Sequence, residues 1–263
     1  MPSRRATIMA LWRPPPSFEK EPQVNTFDWQ VFLQDPGGRH ASYLGWMVSA
    51  WGWTLGVAVL ALLLAVAIGF VVGTARTLPN HPIAVRLGNG WVELFRNVPL
   101  LVQLFIWYHV LPALVPPLKD VPGFALVVVA LGLFTSARVA EQVRSGILSL
   151  SRGQRNAGMA LGFTTGQCYR YVLLPMALRI IIPPLTSETM NIIKNSSVGF
   201  AVSVGELTMF AMQAQEETSR GIEIYFGVTV LYIVSAFGIN RLMALIERRL
   251  RIPGMVFTGA GGH

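Results

Sequence analysis

Cysteine, lysine and formal charge are all scarce in this chain. Cys168 is alone among 263 residues, which excludes an internal disulfide and any cysteine-rich metal site. Only 13% of residues are charged, against about a quarter in soluble domains, so an ordinary soluble fold is excluded. The three lysines, Lys20, Lys119 and Lys194, do not close a phosphate-cradling G-x4-G-K-[ST] loop. His40, His81, His109 and His263 are too dispersed to argue a site. Also missing are His-Glu-x-x-His, Gly-x-Ser-x-Gly and any Cys/His cluster. No enzyme activity and no cofactor are expected. Nor is a cleavable leader, because Arg4 and Arg5 are followed only by Thr7 to Trp12 before Pro14, Pro15 and Pro16.

What remains is apolar. Hydrophobic residues make up 52% of the chain and its mean hydropathy is +0.50. These values predict an all-α, polytopic integral membrane protein. The clearest span runs from Trp51 to Val72, inside a charge-free window from Ala41 to Ala75. A second uncharged run covers Asn97 to Leu118, with prolines near its end. A third starts at Val121 and continues past Ala137 as a helix carrying Arg138, Glu141 and Arg144. A broken segment, Arg179 to Gly205, holds Pro183, Pro184, Glu188 and Lys194. Ionisable groups at that depth need a partner or a wet cavity, so this segment is expected to pack against protein. The last span is Ile224 to about Leu245. The expected count is five transmembrane helices.

Arginine placement orients them. The net charge of +8 is spread over 18 arginines and three lysines between apolar runs, which fits membrane orientation and not nucleic-acid binding. Arg76, Arg86 and Arg96 follow the first span; Arg144, Arg152, Arg155, Arg170 and Arg179 follow the third; Arg248, Arg249 and Arg251 close the chain. With five crossings all three groups share one face, which the positive-inside rule makes cytoplasmic. The other face carries Lys119, Asp120, Glu206, Glu216, Glu217, Arg220 and Glu223. The expected division is an outer N-terminal segment 1–40, a membrane domain 41–250 and a cytoplasmic tail 251–263.

Between the third and fourth spans lies "NAGMALGFTTGQCYRYVLLP", polar and punctuated by glycine. Ser151 to Gln154 reads as a capping box that opens a short helix, with Gly162 as its stop. Thr164 to Gln167 reads as a second box, opening a helix that runs to Pro175. Two short helices about a glycine make a compact cytoplasmic knob with small residues on one face, shaped for docking.

The spacing Asn156-Ala157-Gly158-x3-Gly162-x9-Val172-x-Leu174-Pro175 resembles the coupling loop of ABC-importer permeases, E-A-A-x3-G-x9-I-x-L-P. "VELFRNVPLLVQLF", "SARVAEQVRSGI" and "IIKNSSVGFAVSVGEL" are similar to the polar amino-acid uptake branch, and most of all to glutamate/aspartate import permeases. Asn156 and Gly158 depart from the pattern, where an acid and a second alanine are usual. The resemblance implies an inner-membrane subunit that translocates glutamate or aspartate. Its implied partners are a second permease subunit, identical or paralogous, an ATP-binding ABC subunit that performs hydrolysis, and a periplasmic amino-acid-binding protein. The knob would sit on the ATPase.

Arg138 lies seventeen residues into the third span as read from Val121, deep enough to need a partner. Two readings stand: a structural pair with Glu188, or a guanidinium that grips a passing carboxylate in two-pronged fashion. Glu188 and Lys194, six residues apart, are expected to pair with other helices. Together the three are candidates for the substrate path. Arg96, Glu141 and Arg144 read as boundary residues that snorkel or pair, and Cys168 as packing. Two alternatives are a permease for a neutral polar amino acid such as glutamine and an ion-coupled secondary transporter. The latter is opposed by five helices without an inverted repeat.

Overall fold

The computed structural model describes residues 27–250, and the statements below concern those residues. The segments 1–26 and 251–263, with Lys20, Arg251 and His263, lie outside them. Every regular element described is helical: α1 (Tyr43–Ala75), α2 (Pro82–Asn97), α3 (Leu100–Leu114), α4 (Gly123–Leu148), α5 (Arg152–Ala160), α6 (Thr165–Val202), α7 (Leu207–Thr218) and α8 (Gly221–Leu250). Four are long and apolar enough to cross a membrane: α1, α4, α6 and α8. Taking α2 and α3 as one bent span makes five.

The spine is α1. It begins eight residues before the expected Trp51, because the Ser42 hydroxyl caps its first turn by accepting from the Gly45 N–H at 3.1 Å. From there it threads three apolar clusters in turn: Tyr43, Met47 and Ala50, then Val57, Ala58 and Ala61, then Ala65. α4 runs the same way, from Val127 in the middle cluster to Ile147 in the last, while α6 returns from Leu173 to Ile193. α8 runs from Ile224 to Met243, parallel to α1. The ends of α1 and α4, the start of α6 and the end of α8 therefore share one end of the bundle, as the arginine pattern requires.

Glycines set the spacing of α1 and α4. A Cβ at Gly73 would lie 2.6 Å from the Ala140 carbonyl oxygen, and one at Gly69 would lie 2.6 Å from the Val139 side chain. Small residues four apart let two membrane helices touch backbone to backbone, where lipid supplies no hydrophobic drive. α4 is the most enclosed span, with 67% of its apolar window buried. The segment Arg179–Gly205, expected to pack against protein, belongs to α6, whose window is 39% buried.

Sequence and structure part in three places. The span expected over Asn97–Leu118 is the shorter α3, and the stretch before it, expected as a loop carrying Arg86 and Arg96, is α2, bent from α3 by 102° at Val98–Pro99. Pro99 holds Val98 extended (φ −91°, ψ 128°). Gln103 Nε2 then donates to the Phe95 and Val98 carbonyls at 2.9 and 2.8 Å, satisfying the open end of α2. Next, the helix end expected at Pro175 is replaced by one continuous α6, which carries Pro183 and Pro184, read as kinking it, inside its length. A π-turn, Tyr169–Leu173, widens the helix just ahead of Pro175, whose ring would clash with the Tyr171 carbonyl in a regular α-turn. α3 repeats the device, with a π-turn at Ile106–Val110 ahead of Pro112.

The third difference is α7, which falls where a polar loop was expected. Its N-cap is Glu206, fully buried, whose carboxylate accepts from the Thr208 and Met209 N–H groups at 2.9 Å each. Leu207, Phe210, Ala211 and Ala214 pack on Tyr43, Met47 and Ile224.

Replacing Gly73 by valine should therefore cost about 1–3 kcal/mol by overpacking and lower the melting temperature in detergent. Gly90→Ala is the control, since nothing lies within 4 Å of a Cβ there. Equal melting temperatures for the two variants would refute the close-contact account.

Candidate functional site

Polar residues between Ser151 and Gln167 fold as a knob at the end of the bundle shared by Thr77 and Leu78. Its first helix, α5, ends at Gly162, which adopts φ +85°, a conformation glycine enters without strain. Phe163 N–H then reaches back to the Gly158 carbonyl (3.1 Å) and Gly162 N–H to that of Met159 (3.0 Å), the paired bonds of a Schellman stop. The second capping box forms as expected: Gln167 N–H donates to the Thr164 hydroxyl, and the Gln167 side chain accepts from Thr164 N–H. The first does not form. Ser151 makes no side-chain cap bond, because its own carbonyl closes the turn by accepting from Gln154 N–H at 3.1 Å.

The predicted docking residues divide by direction. Asn156, Ala157, Gly162 and Pro175 are exposed, together with Met159, Ala160 and Leu161. Leu161, just ahead of the Gly162 stop, is 78% exposed. Gly158 is buried and faces inward, where a Cβ would lie 3.0 Å from Cys168 Sγ. Val172 and Leu174 pack against the cluster containing Cys168 and Tyr169. Cys168 is thus a packing residue, 1% exposed. Inward residues fix the shape of the knob; outward ones offer a small-residue surface with two apolar side chains, Met159 and Leu161, standing from it.

Of the three candidate path residues the fold joins two. Arg138 on α4 lies 3.8 Å from Glu188 on α6, with side chains 43% and 12% exposed. Gln142 Nε2 contacts the same carboxylate at 3.4 Å, and the Arg138 guanidinium stands 5.1 Å over the Phe134 ring. Lys194 is exposed and makes no ion pair among the described residues.

A tighter charge cluster was not foreseen. Arg76 had been counted only as a loop charge, yet its side chain is 8% exposed and donates to Glu141 Oε2 at 2.6 Å and Asn89 Oδ1 at 2.8 Å. Arg144 adds a contact to Glu141 at 3.7 Å. No sequence spacing relates residues 76, 89 and 141, so only the fold reveals them.

Four or five apolar spans with a surface knob at one end are the architecture of a multi-pass membrane protein. The chain belongs to the family described as binding-protein-dependent transport system inner membrane component, which matches residues 65–252. It is 40% identical over 238 residues to the glutamate/aspartate import permease protein GltJ of Escherichia coli K12, covering 87% of this chain and 96% of that protein. It is 34% identical over 199 residues to the glutamine transport system permease protein GlnP of the same organism (76% and 90% covered). A crystal structure of an amino acid ABC transporter with histidines superposes with a TM-score of 0.70 at 31% identity, covering 79% of this chain and 95% of that one. The chain is therefore a multi-pass transport subunit of the bacterial inner membrane, not an enzyme. Its family works with a substrate-binding protein and an ATP-binding subunit.

If Gly162 and Thr164 hold the knob rigid, loosening either should show locally. Gly162→Ala and Thr164→Ala should each destabilise the knob by about 1 kcal/mol. Limited proteolysis of the intact protein should then cut within 151–168 several times faster. Unchanged cleavage would show that neither residue holds the loop.

Proposed function

We propose that this chain is the permease subunit of an ATP-driven importer of acidic amino acids, glutamate and aspartate. The observation that carries the reading is the knob: interior residues lock its shape, and a small-residue face with exposed Leu161 is left for a partner. The ATP-binding subunit is that partner. A second permease subunit completes the path, and a periplasmic binding protein delivers cargo. The arginine-rich end is cytoplasmic, with residues 1–40 periplasmic, 41–250 the permease domain and 251–263 a cytoplasmic tail. In this arrangement nucleotide-driven closure of the ATPase pair moves the knob, and the helices behind it change the side to which the path opens.

Docking is tested best at Leu161, because its side chain alone changes there and no backbone conformation is disturbed. Leu161→Asp places an unpaired charge against the partner, which costs several kcal/mol when buried. Assembly or transport-coupled ATPase activity should fall at least tenfold. Full coupled activity in purified Leu161→Asp complex would sink the docking reading.

Cargo selection rests on Arg138. Its contact with Glu188 is too long for a hydrogen bond, and its guanidinium is nearly half exposed. A substrate carboxylate can therefore take up the free edge in two-pronged fashion. Likeness to the glutamate/aspartate permease supports the same cargo. The second reading, a neutral polar amino acid, draws on the glutamine permease likeness and on Glu188, which already balances Arg138. Arg138→Gln should lower glutamate and aspartate uptake per assembled complex about tenfold, with partial recovery in Arg138→Lys. If Arg138→Gln lowers only the amount of complex, the pair is structural. If glutamine uptake exceeds glutamate uptake in the unsubstituted protein, the second reading holds.

A further inference from the structure

Tyr169 sits where the knob becomes α6, yet its side chain points away from the docking face. The residue is 6% exposed. Its hydroxyl donates to the Thr77 carbonyl at 2.6 Å and lies 3.2 Å from the Thr77 hydroxyl, across 92 residues of sequence. Thr77 follows Arg76, the C-cap of α1. Arg76 in turn grips Asn89 on α2 and Glu141 on α4. A continuous line of bonds therefore runs from the knob to three helices of the bundle.

The two ends of that line are stiff. On the knob side, Cys168 Sγ, next to Tyr169, lies 3.7 Å from the Arg155 carbonyl of α5 and meets Gly158 closely. On the bundle side, a Cβ at Gly88 would lie 2.5 Å from Arg76 Cγ, so the arginine stem is pressed onto α2. Leu78, beside Thr77, packs into the same apolar cluster as Cys168 and Tyr169. Beyond covalent linkage through α4 and α6, this is a direct polar contact between the knob and the α1–α2 connection.

We propose that the Tyr169 hydroxyl is the positioning tie that carries knob displacement to α1 and α2, with Arg76, Asn89 and Glu141 spreading it to the bundle. The inference rests on the docking reading of the knob and deepens it. A π-turn at Tyr169–Leu173 suits the role, since such turns interrupt the regular ladder and mark functional positions. Without the hydroxyl, the knob can move while Thr77 stays behind. Hydrolysis then continues with less transport.

The test uses the full complex in liposomes. Tyr169→Phe removes one oxygen and keeps the ring packed. It should assemble normally, with glutamate uptake per ATP hydrolysed lowered about fivefold, the scale of one buried hydrogen bond. In a Cys168→Ser background, environment-sensitive fluorophores report motion from Arg170→Cys on the knob or Arg86→Cys on α2. ATP should change both signals in the parent protein; Tyr169→Phe should keep the first and lose the second. An unchanged uptake-to-hydrolysis ratio, or a retained α2 signal, overturns the proposal. A knob label silent to ATP in the parent protein removes the docking reading itself, a separate failure. Should Tyr169→Phe not assemble, Asn89→Ala at the far end of the tie carries the same expectation. An unchanged ratio there overturns the proposal equally.

Discussion

The rest of the bundle depends on how closely α1 approaches α4. In lipid, burying apolar surface against another helix gains nothing over burying it in acyl chains, so helix pairs hold by contact density and polar bonds. Gly69 and Gly73 allow that density by bringing α1 onto Val139, Ala140 and Val143. The same contact sets a register. Arg76 follows Gly73 by about one turn, and Glu141 follows Ala140 directly, so backbone contact at the glycines delivers the two charges to each other. An ion pair at 2.6 Å is the result. With a longer helix spacing the guanidinium and carboxylate would be left unpaired near the membrane boundary, at a cost of several kcal/mol.

Other ionisable groups in the bundle follow the same constraint with different partners. Glu206 is fully buried and is held by two backbone N–H groups at the head of α7, with the Tyr232 hydroxyl at 3.4 Å. Glu217 accepts from Tyr43, and Glu223 accepts from Asp28 N–H, which ties the segment before α1 to α8. These groups staple helix ends. Arg138 and Glu188 differ: their 3.8 Å contact is too long for a hydrogen bond and lies within the spans.

How much of this could be read from the chain follows from the range of the forces involved. Apolar runs long enough to cross a bilayer are local, so α1, α4 and α8 were plain in the sequence, and so was the end of the bundle that gathers arginine. The Thr164 box and the Gly162 stop are also local, and both formed. The 102° elbow was hidden because Pro99 only permits a bend; the direction comes from Gln103 reaching back to Phe95 and Val98, and from Trp91 bonding Ser136 on α4. Hydropathy saw the uncharged run after the corner and took the charged helix before it, α2, for a loop. α7 was missed for a related reason: glutamates that look like loop residues become a cap and a hydrogen-bond acceptor once α1 and α8 stand beside them. Arg76, Asn89, Glu141 and Tyr169 share no spacing at all. Their meeting is tertiary, and only the fold shows that Gly88 lets the Arg76 stem lie against α2.

The knob shows why docking and transmission need different residues. A surface that must fit a partner closely tolerates small side chains and little else, and Asn156, Ala157, Ala160 and Gly162 meet that demand. Small side chains, however, hold nothing in place. Rigidity has to come from the inward face, where Gly158 interlocks with Cys168, Phe163 closes the stop and Thr164 caps the next helix. Asn156 stands where related loops carry an acid, and it lies on the outward face, so its neutral side chain alters the partner surface without touching this scaffold. If a partner displaces α5, the contacts that leave the knob are the α6 backbone and the Tyr169 hydroxyl on Thr77, and these are the routes by which the proposed tie would act.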